Sequence, residues 1–168
     1  MTDTVSNNEN FARLGVAPHI LTILTKLGFV TPTPIQAQAI LPAIEGKDIV
    51  GIAQTGTGKT LAFAIPMIQR FAKSNGLGLV VVPTRELAIQ IETVFQSVGQ
   101  SLGIKTALLI GGASMFAQMN ALRRRPNVII CTPGRMNDHL NQKTLTLQNV
   151  SVLVLDEADH MFDMGFLP

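Results

Sequence analysis

Apolar residues occur along the chain in five short runs, with longer stretches of helical spacing between them. The runs are "DIVGIA" (48–53), "LGLVVV" (77–82), "TALLI" (106–110), "NVII" (127–130) and "SVLVLD" (151–156). Apolar positions three and four residues apart predict helices over about 58–72, 84–102, 114–125 and 134–142. Continuous runs of Val, Ile and Leu are typical of strands buried on both faces. This alternation predicts an α/β fold in which helices flank a parallel sheet.

Two more helices are predicted before the first run. One covers 18–27 and stops at Gly28; the other runs from Pro34 toward Ile44, with Pro42 expected to kink or end it. "TPIQ" (33–36) fits a capping box with proline at the first helical position. The amide of Gln36 would equally suit hydrogen bonds to a nucleobase edge, and the residues alone leave both roles open. Residues 1–10 are polar and are predicted to form a flexible tail.

Composition narrows the class of protein. Of 168 residues, 46% are hydrophobic and 14% charged, which excludes a disordered chain. The net charge of +2 is too small to indicate nucleic-acid binding by itself. The single cysteine, Cys131, excludes an internal disulfide and is typical of a reducing compartment. No apolar run approaches the length of a membrane span and the N-terminus has no signal pattern, so a soluble cytoplasmic protein is expected.

Polar segments follow all five runs. They are "AQTGTGKT", "PTREL", "GGAS", "TPGR" and "DEAD". In open α/β sheets, ligands bind at the carboxyl ends of the strands. We therefore expect these segments to lie along one edge of the sheet and to form the functional site.

The first of these segments has the P-loop pattern, with Ala53 in place of the usual first glycine. Its glycines let successive N–H groups converge on phosphate oxygens at a helix N-terminus. Lys59 would reach the β- and γ-phosphates, and the Thr60 hydroxyl would ligate Mg²⁺. A P-loop NTPase is predicted, and its predicted nucleotide contacts are Ala53, Gln54, Thr55, Gly56, Thr57, Gly58, Lys59 and Thr60.

The acidic segment at 156–159 follows the last apolar run. In P-loop ATPases an acid at this position holds the magnesium ion, which assigns Asp156. Glu157 would orient or deprotonate the attacking water. Asp159 would contact groups beside the nucleotide or pair with a basic residue. The plainer alternative is a solvated strand end that caps the following helix.

Taken together, these motifs resemble the first RecA-like domain of a DEAD-box ATP-dependent RNA helicase. They occur in the family order and cover residues 11–168, which are interpreted as a partial ATP-binding domain. The residues that carry the resemblance are Phe11, "GFVTPTPIQ" (28–36), the P-loop (53–60), "PTRELA" (83–88), Gly111-Gly112, "TPGR" (132–135) and "DEAD" (156–159).

The resemblance implies ATP and Mg²⁺ as cofactors and RNA as a partner. It implies that Gln36 reads adenine, that Phe11 stacks on it, and that Lys59, Asp156 and Glu157 are catalytic. It also implies RNA-backbone contacts with little sequence preference from Pro83, Thr84, Arg85, Gly111, Gly112, Thr132, Pro133, Gly134 and Arg135. The alternative for Thr84 and Thr132 is plain helix capping, and for the two glycines a simple turn.

The sequence departs from the family pattern at its end, because "DEADHMFDMGFLP" is not followed by a Ser-Ala-Thr motif or a second RecA-like domain. In this family the Ser-Ala-Thr strand lies between the P-loop strand and the DEAD strand. We therefore expect a gap in the middle of the sheet, in a fold that is incomplete at the C-terminus. A partner chain, a swapped segment, sheet rearrangement or the rest of a longer protein would fill the gap, and self-association is possible.

Without the second domain, we expect weak nucleotide binding, negligible hydrolysis and no unwinding. Two other functions are weighed against a helicase: a non-catalytic ATP-gated RNA clamp or scaffold, and a DNA-directed P-loop translocase. The adenine-reading segment and the acidic tetrad count against the translocase.

Overall fold

The structure, a computed structural model, describes residues 10–165. The predicted flexible tail therefore lies, except for Asn10, outside the described residues. The chain divides into two compact units, residues 1–70 and residues 71–168. Each unit is described separately.

The first unit is helical. Its helices are α1 (Pro18–Lys26), α2 (Pro34–Ile44) and α3 (Lys59–Phe71), whose last residue crosses into the second unit. All three were predicted, and their apolar faces bury Ile20, Leu24, Ile40 and Ile65 completely or almost so. The helix α2 runs to Ile44, as predicted, and Pro42 lies inside it, so of the two effects expected of this proline, ending the helix does not occur.

The second unit contains a four-stranded sheet. Its strands are β1 (Leu77–Val81), β2 (Thr106–Leu109), β3 (Val128–Cys131) and β4 (Val150–Leu155). They lie in the order β2-β3-β1-β4, and every pair is parallel. The helices of this unit are α4 (Arg85–Gly99), α5 (Met115–Arg123), α6 (Pro133–Asn141) and the short α7 (Ala158–Asp163), with a 3₁₀ turn at Gln100–Leu102. The predicted parallel α/β architecture is confirmed.

The two central strands form the core. Every residue of β3 is buried, and so are the last four residues of β1. Since successive side chains of a strand point to opposite faces, both faces of this part of the sheet are covered. One of the faces carries a cluster of buried side chains from three strands and two flanking segments: Leu79, Val81, Ala107, Leu109, Ile129, Cys131, Leu145 and Met161.

The edge strand β4 differs from the prediction of burial on both faces. Its side chains alternate between half-buried and exposed, and Leu153 and Leu155 are 57% and 49% exposed. Its neighbour in the sheet is β1, on one side. Among the described residues, therefore, no strand pairs with the second edge of β4, and one face of β4 is exposed to solvent.

The prediction of a strand over residues 48–53 is wrong. These residues have no regular secondary structure, and Val50 and Ile52 are 93% and 95% exposed. A strand needs a neighbour for its backbone N–H and C=O groups, and no described residue pairs with this segment in the sheet. Direct pairing with β4, which would refute the predicted gap in the sheet, is not formed, and the gap stays a prediction.

Within residues 10–165, no helix has both the length and the apolarity that crossing a bilayer requires.

A matched pair of leucines tests where the core lies. Leu109→Ala should lower the free energy of unfolding by about 2–5 kcal/mol, because Leu109 is fully buried. Leu153→Ala should cost less than about 1 kcal/mol, because its side chain is largely solvent-exposed already. Urea denaturation of the two variants and the wild type measures both costs. Similar costs for the two variants would show that β4 is covered in solution.

Candidate functional site

The P-loop lies in the first unit and leads into α3. Gly56 and Gly58 have φ angles of +82° and +89°, a left-handed conformation that glycine adopts without steric cost. The Lys59 ammonium donates to the carbonyl oxygen of Ala53 at 2.8 Å, and the Thr57 hydroxyl donates to that of Gln54 at 2.6 Å. The loop is therefore folded on itself, with Lys59 bound to its own backbone at the start of the helix.

The residues around Lys59 lie at the N-terminus of α3, where an anion can bind. Thr60 is the second residue of α3 and is partly exposed, so its hydroxyl lies at the positive end of the helix dipole. Gln54, Thr55 and Gly56 are exposed. An anion approaching this helix N-terminus would meet backbone N–H groups and the Lys59 ammonium together.

Gln36 is buried and binds two segments of the first unit. Its side-chain oxygen accepts from the backbone N–H of Thr33 at 2.9 Å, which is its half of the predicted capping box. Its side-chain nitrogen donates to the carbonyl oxygen of Gly58 at 3.1 Å, which ties helix α2 to the P-loop. The contact is close enough that a Cβ atom on Gly58 would collide with this amide.

The two roles weighed for Gln36 are therefore not exclusive. Capping is observed, and tethering of the P-loop is a third role that the sequence did not reveal. An amide group has two acceptor lone pairs and two N–H donors, so one of each is still available for a base edge. Adenine reading stays a prediction.

Phe11 lies in a turn that precedes α1. This residue is only 3% exposed, so stacking on adenine would require a ring face that is covered here. Gln69 of α3, which sequence reasoning missed, holds this turn: its oxygen accepts from Ala17 N–H at 2.8 Å and its nitrogen donates to Gly15 C=O at 2.9 Å. The available signal was a glutamine among buried apolar positions of a helix.

The second unit brings four of the predicted segments to one edge of its sheet. Residues 83–85 follow β1, 111–112 follow β2, 132–135 follow β3 and 156–157 follow β4. Since all strand pairs are parallel, all four carboxyl ends share that edge. The convergence expected from the sequence is confirmed for these four segments.

Arg85 and Arg135 both contact the loop that follows β2. The guanidinium of Arg85 lies so close to Gly112 that a Cβ atom there would sit 2.5 Å from its Nη1. Arg135 donates from Nη1 to the carbonyl oxygen of Ala113 at 3.1 Å, and its Nε lies 3.4 Å from Asp138 Oδ2. The Gly111-Gly112 pair therefore lies beside two cationic side chains.

The two threonines at helix starts behave differently. The Thr84 hydroxyl accepts from Leu87 N–H at 3.3 Å and so caps α4. Thr132 is the N-cap residue of α6 without a side-chain capping bond. Pro133 is buried behind it, while a Cβ atom on Gly134 would meet nothing within 4 Å. The start of α6 is therefore sterically open to a ligand, and plain capping does not account for the Thr132 hydroxyl.

The acidic segment turns sharply after β4. Asp156 is largely buried; its N–H donates to Val81 C=O at 3.1 Å, and its Oδ1 accepts from Glu157 N–H at 3.1 Å. Glu157 has a left-handed backbone (φ +53°, ψ +47°), which costs a non-glycine residue about 1 kcal/mol or more. Its Oε2 lies 3.5 Å from His160 Nδ1. Asp159 is exposed in the first turn of α7.

Residues 10–165 contain no cluster of three or more His, Cys, Asp or Glu side chains suited to a metal. A protein cage is not what a nucleotide-bound Mg²⁺ requires, because that ion takes one or two protein oxygens together with phosphate oxygens and water. Thr60 in the first unit and Asp156 in the second each carry a hard oxygen donor of this kind. Their chemistry fits Mg²⁺.

A buried polar chain lies behind the loop at 110–113, and sequence reasoning missed it. His139 of α6 is fully buried, and its Nε2 is 3.0 Å from Gln118 Oε1 while its Nδ1 is 2.8 Å from Thr144 Oγ1. Gln118 of α5 donates from Nε2 to the carbonyl oxygen of Ile110 at 2.9 Å. The only hint in the sequence was a lone polar residue within the apolar stripe of each helix.

Burial lowers the pKa of His139 below its ordinary value of 6.5, and the nearby Arg135 guanidinium lowers it further; the Asp138 carboxylate acts in the opposite direction. Burial also raises the pKa of the Cys131 thiol to about 12, so this cysteine is an inert core residue.

The fold and these segments define a RecA-like α/β domain with a P-loop, and comparison with known proteins identifies the family. The model of the DEAD/DEAH box helicase family matches residues 33–168. The chain therefore belongs to the DEAD/DEAH box helicase family.

Its relatives agree with this identification. The chain is 47% identical over 163 residues to the ATP-dependent rRNA helicase RRP3 of Candida glabrata, a match that covers 95% of this chain and 33% of the relative. It is 45% identical over 168 residues to rrp3 of Schizosaccharomyces pombe, covering 96% and 36%. The chain thus spans about a third of the length of the curated relatives it matches.

Solved structures of DEAD-box proteins share the fold. A DEAD box protein from Methanococcus jannaschii superposes with a TM-score of 0.88 at 41% identity, covering 94% of this chain and 44% of that one. The yeast DEAD-box splicing factor Prp28 superposes with a TM-score of 0.86 at 34% identity, covering 94% and 39%.

The buried histidine makes stability depend on pH. Because the folded state lowers the pKa of His139, the unfolded chain binds the proton more readily, and stability falls as the pH drops below about 6.5. The contribution of this one group is at most about 1.4 kcal/mol per pH unit. Urea denaturation between pH 7.5 and 5.0 should show a smaller loss for His139→Gln than for the wild type.

The exposed His19 supplies the control. His19→Gln should lose stability with falling pH as the wild type does, because that side chain is solvated in both states. Equal pH dependence in all three proteins would mean that His139 is not buried as described.

Proposed function

We propose that the chain is the ATP-binding domain of an ATP-dependent RNA helicase that couples ATP binding and hydrolysis to local duplex unwinding or to remodelling of RNA–protein complexes. One observation carries the proposal: a P-loop tethered by Gln36, in a chain of the DEAD/DEAH box helicase family. The naming of its relatives as ATP-dependent rRNA helicases supports it, and ribosomal RNA is therefore the first substrate to test.

In this proposal the first unit binds the nucleotide. The P-loop backbone from Ala53 to Gly58 surrounds the phosphates, and Lys59 leaves the Ala53 carbonyl to contact the β- and γ-phosphates. Gln36 reads adenine with the donor and acceptor that its backbone bonds leave available. Phe11 stacks on the base after its buried ring becomes exposed.

Thr60 and Asp156 would hold Mg²⁺, which would supply positive charge to offset the negative charge on the phosphates. Glu157 orients the attacking water and accepts its proton. The strained backbone of Glu157 supports this role, because strained conformations persist where the surrounding structure fixes a functional side chain.

The second unit contacts RNA through the edge of its sheet at which the carboxyl ends of the four strands meet. Arg85 and Arg135 offer charge to phosphates, and the start of α6 offers backbone N–H groups. Such contacts read the backbone rather than the bases, so little sequence preference follows. The full set of proposed contact residues is Pro83, Thr84, Arg85, Gly111, Gly112, Thr132, Pro133, Gly134 and Arg135.

The rest of a longer protein completes the enzyme. The relatives are about three times as long as this chain, and in the proposal a second RecA-like domain supplies transition-state arginines and the other half of the RNA grip. The free edge of β4 accepts the missing strand; in the isolated chain the same edge favours self-association. A cytoplasmic location fits the single reduced cysteine.

Nucleotide selectivity tests the first half of the proposal. The wild-type chain should bind ADP weakly but in preference to GDP in calorimetric titrations. Gln36→Ala should abolish the preference and lower the free energy of unfolding by about 1–2 kcal/mol, because it removes a capping bond and a buried tether. The exposed Gln38 on the same helix gives the control: Gln38→Ala should change neither quantity. Unchanged selectivity in Gln36→Ala would leave Gln36 as a cap and tether alone.

RNA-stimulated ATP hydrolysis tests the second half. The full-length protein should hydrolyse ATP faster with RNA than with DNA, and Glu157→Gln should reduce the rate by about 10²–10⁴-fold. The 168-residue chain alone should show negligible turnover. Turnover by the chain alone would contradict the need for a second domain, and equal stimulation by DNA would favour a translocase. ATP-gated RNA binding without turnover would favour the clamp.

A further inference from the structure

We propose that Gln118 and His139 are positioning residues that fix the Gly111-Gly112 loop as part of the RNA-contact surface, so that this loop and helix α6 act as one rigid element. The part of the inference that concerns RNA contact rests on the proposed function. The part that concerns anchoring of the loop rests on the geometry alone.

The loop is anchored at both ends. On one side, the carbonyl of Ile110, the residue directly before the two glycines, accepts from Gln118 at 2.9 Å. On the other side, the carbonyl of Ala113 accepts from Arg135 at 3.1 Å. The glycine pair is therefore suspended between two hydrogen bonds, both from side chains rather than from a neighbouring strand.

Helix α6 controls both anchors. Arg135 and His139 are four residues apart on this helix and so lie on the same face. Arg135 reaches Ala113 directly, whereas His139 acts through the amide of Gln118, which it holds at 3.0 Å. Displacement of α6 would therefore pull on both ends of the loop.

The directions of the hydrogen bonds are fixed by what each group can do. A carbonyl only accepts, so the amide nitrogen of Gln118 must face Ile110 and its oxygen must face His139. His139 Nε2 must then carry the proton. In the neutral ring Nδ1 is left as an acceptor for the Thr144 hydroxyl at 2.8 Å. The same hydroxyl lies 3.1 Å from the His139 carbonyl oxygen, but that carbonyl already accepts from Thr144 N–H at 2.9 Å. With the hydroxyl proton donated to Nδ1, the neutral Nε2–H tautomer satisfies every side-chain polar group of the chain from Thr144 to Ile110.

Neither glycine can carry a side chain that would restrict the loop. A Cβ atom at either glycine would crowd the Arg85 guanidinium, at 3.2 Å for Gly111 and 2.5 Å for Gly112, so no side chain can stiffen the backbone there. Two adjacent glycines have the largest conformational entropy to lose. Anchoring by buried side chains is therefore what keeps the backbone ready to meet a phosphate.

Gln118→Met tests the inference, because it removes the amide while keeping the length of the side chain. Hydrogen–deuterium exchange of the 168-residue chain should become at least tenfold faster at residues 111–113. In the full-length protein, the RNA concentration for half-maximal ATP hydrolysis should rise about tenfold, with the rate at saturating RNA within about twofold of the wild type. His139→Gln alone should change both quantities less than Gln118→Met does, since its amide can still donate to Gln118.

Gln69→Met is a matched control, because Gln69 is also a buried glutamine with two backbone hydrogen bonds, but in the first unit. It should leave exchange at 111–113 unchanged. If both variants accelerate exchange at these residues equally, Gln118 contributes only to the overall stability of the fold, and the inference is overturned. Unchanged loop exchange in Gln118→Met would overturn it as well.

A measurement on the unmutated chain covers the case in which Gln118→Met does not fold. Nitrogen-15 NMR of the His139 ring at pH 7 should show a neutral ring with the proton on Nε2, and a proton on Nδ1 instead would overturn the inference. If RNA does not stimulate ATP hydrolysis by the wild-type full-length protein, the proposed function is wrong. Hydrogen–deuterium exchange at residues 111–113 and the His139 tautomer would still decide whether the loop is held.

Discussion

Parallel pairing of the strands is the constraint on which the rest of the second unit depends. Because β1 pairs in parallel with both β3 and β4, and β3 with β2, every loop that leaves a strand does so on the same side. Four segments that are each 20 or more positions from the next along the chain thereby meet at one edge. Parallel strands need covered faces, which is why the buried runs of β1 and β3 are almost wholly aliphatic.

Buried amides recur as the means by which this chain holds irregular backbone. Gln36 binds the P-loop, Gln69 binds the turn before α1, and Gln118 binds the end of β2. In each case a side chain on a helix donates to a backbone carbonyl; the Gly58 carbonyl also accepts from Ala62 N–H of α3 at 3.3 Å. A glutamine suits this task because it can donate and accept at once, and because an unsatisfied buried carbonyl costs about 1–3 kcal/mol.

Most of the helices and strands, and two of the motifs of the candidate site, were predictable from the sequence. Helical spacing located the six longer α-helices, and Val, Ile and Leu runs located the four strands, because periodicity and branching are local properties. The P-loop and the acidic segment were recognisable because glycines, a lysine and carboxylates occur in fixed order near strand ends. The strand at 48–53 was predicted wrongly: its residues favour a strand, but extended backbone stays unpaired unless a neighbour lies beside it.

By itself, then, the sequence determined the α/β class, the order of the elements, the family and the residues that follow each strand. Only the tertiary structure decided that Gln36 faces Gly58, that Phe11 is buried, that β4 is an edge strand and that Gln118 and His139 stand behind the glycine pair. The physical reason is that propensity and spacing act between neighbours in the chain. Burial and hydrogen-bond partners depend on residues brought together from distant positions, which no local pattern records.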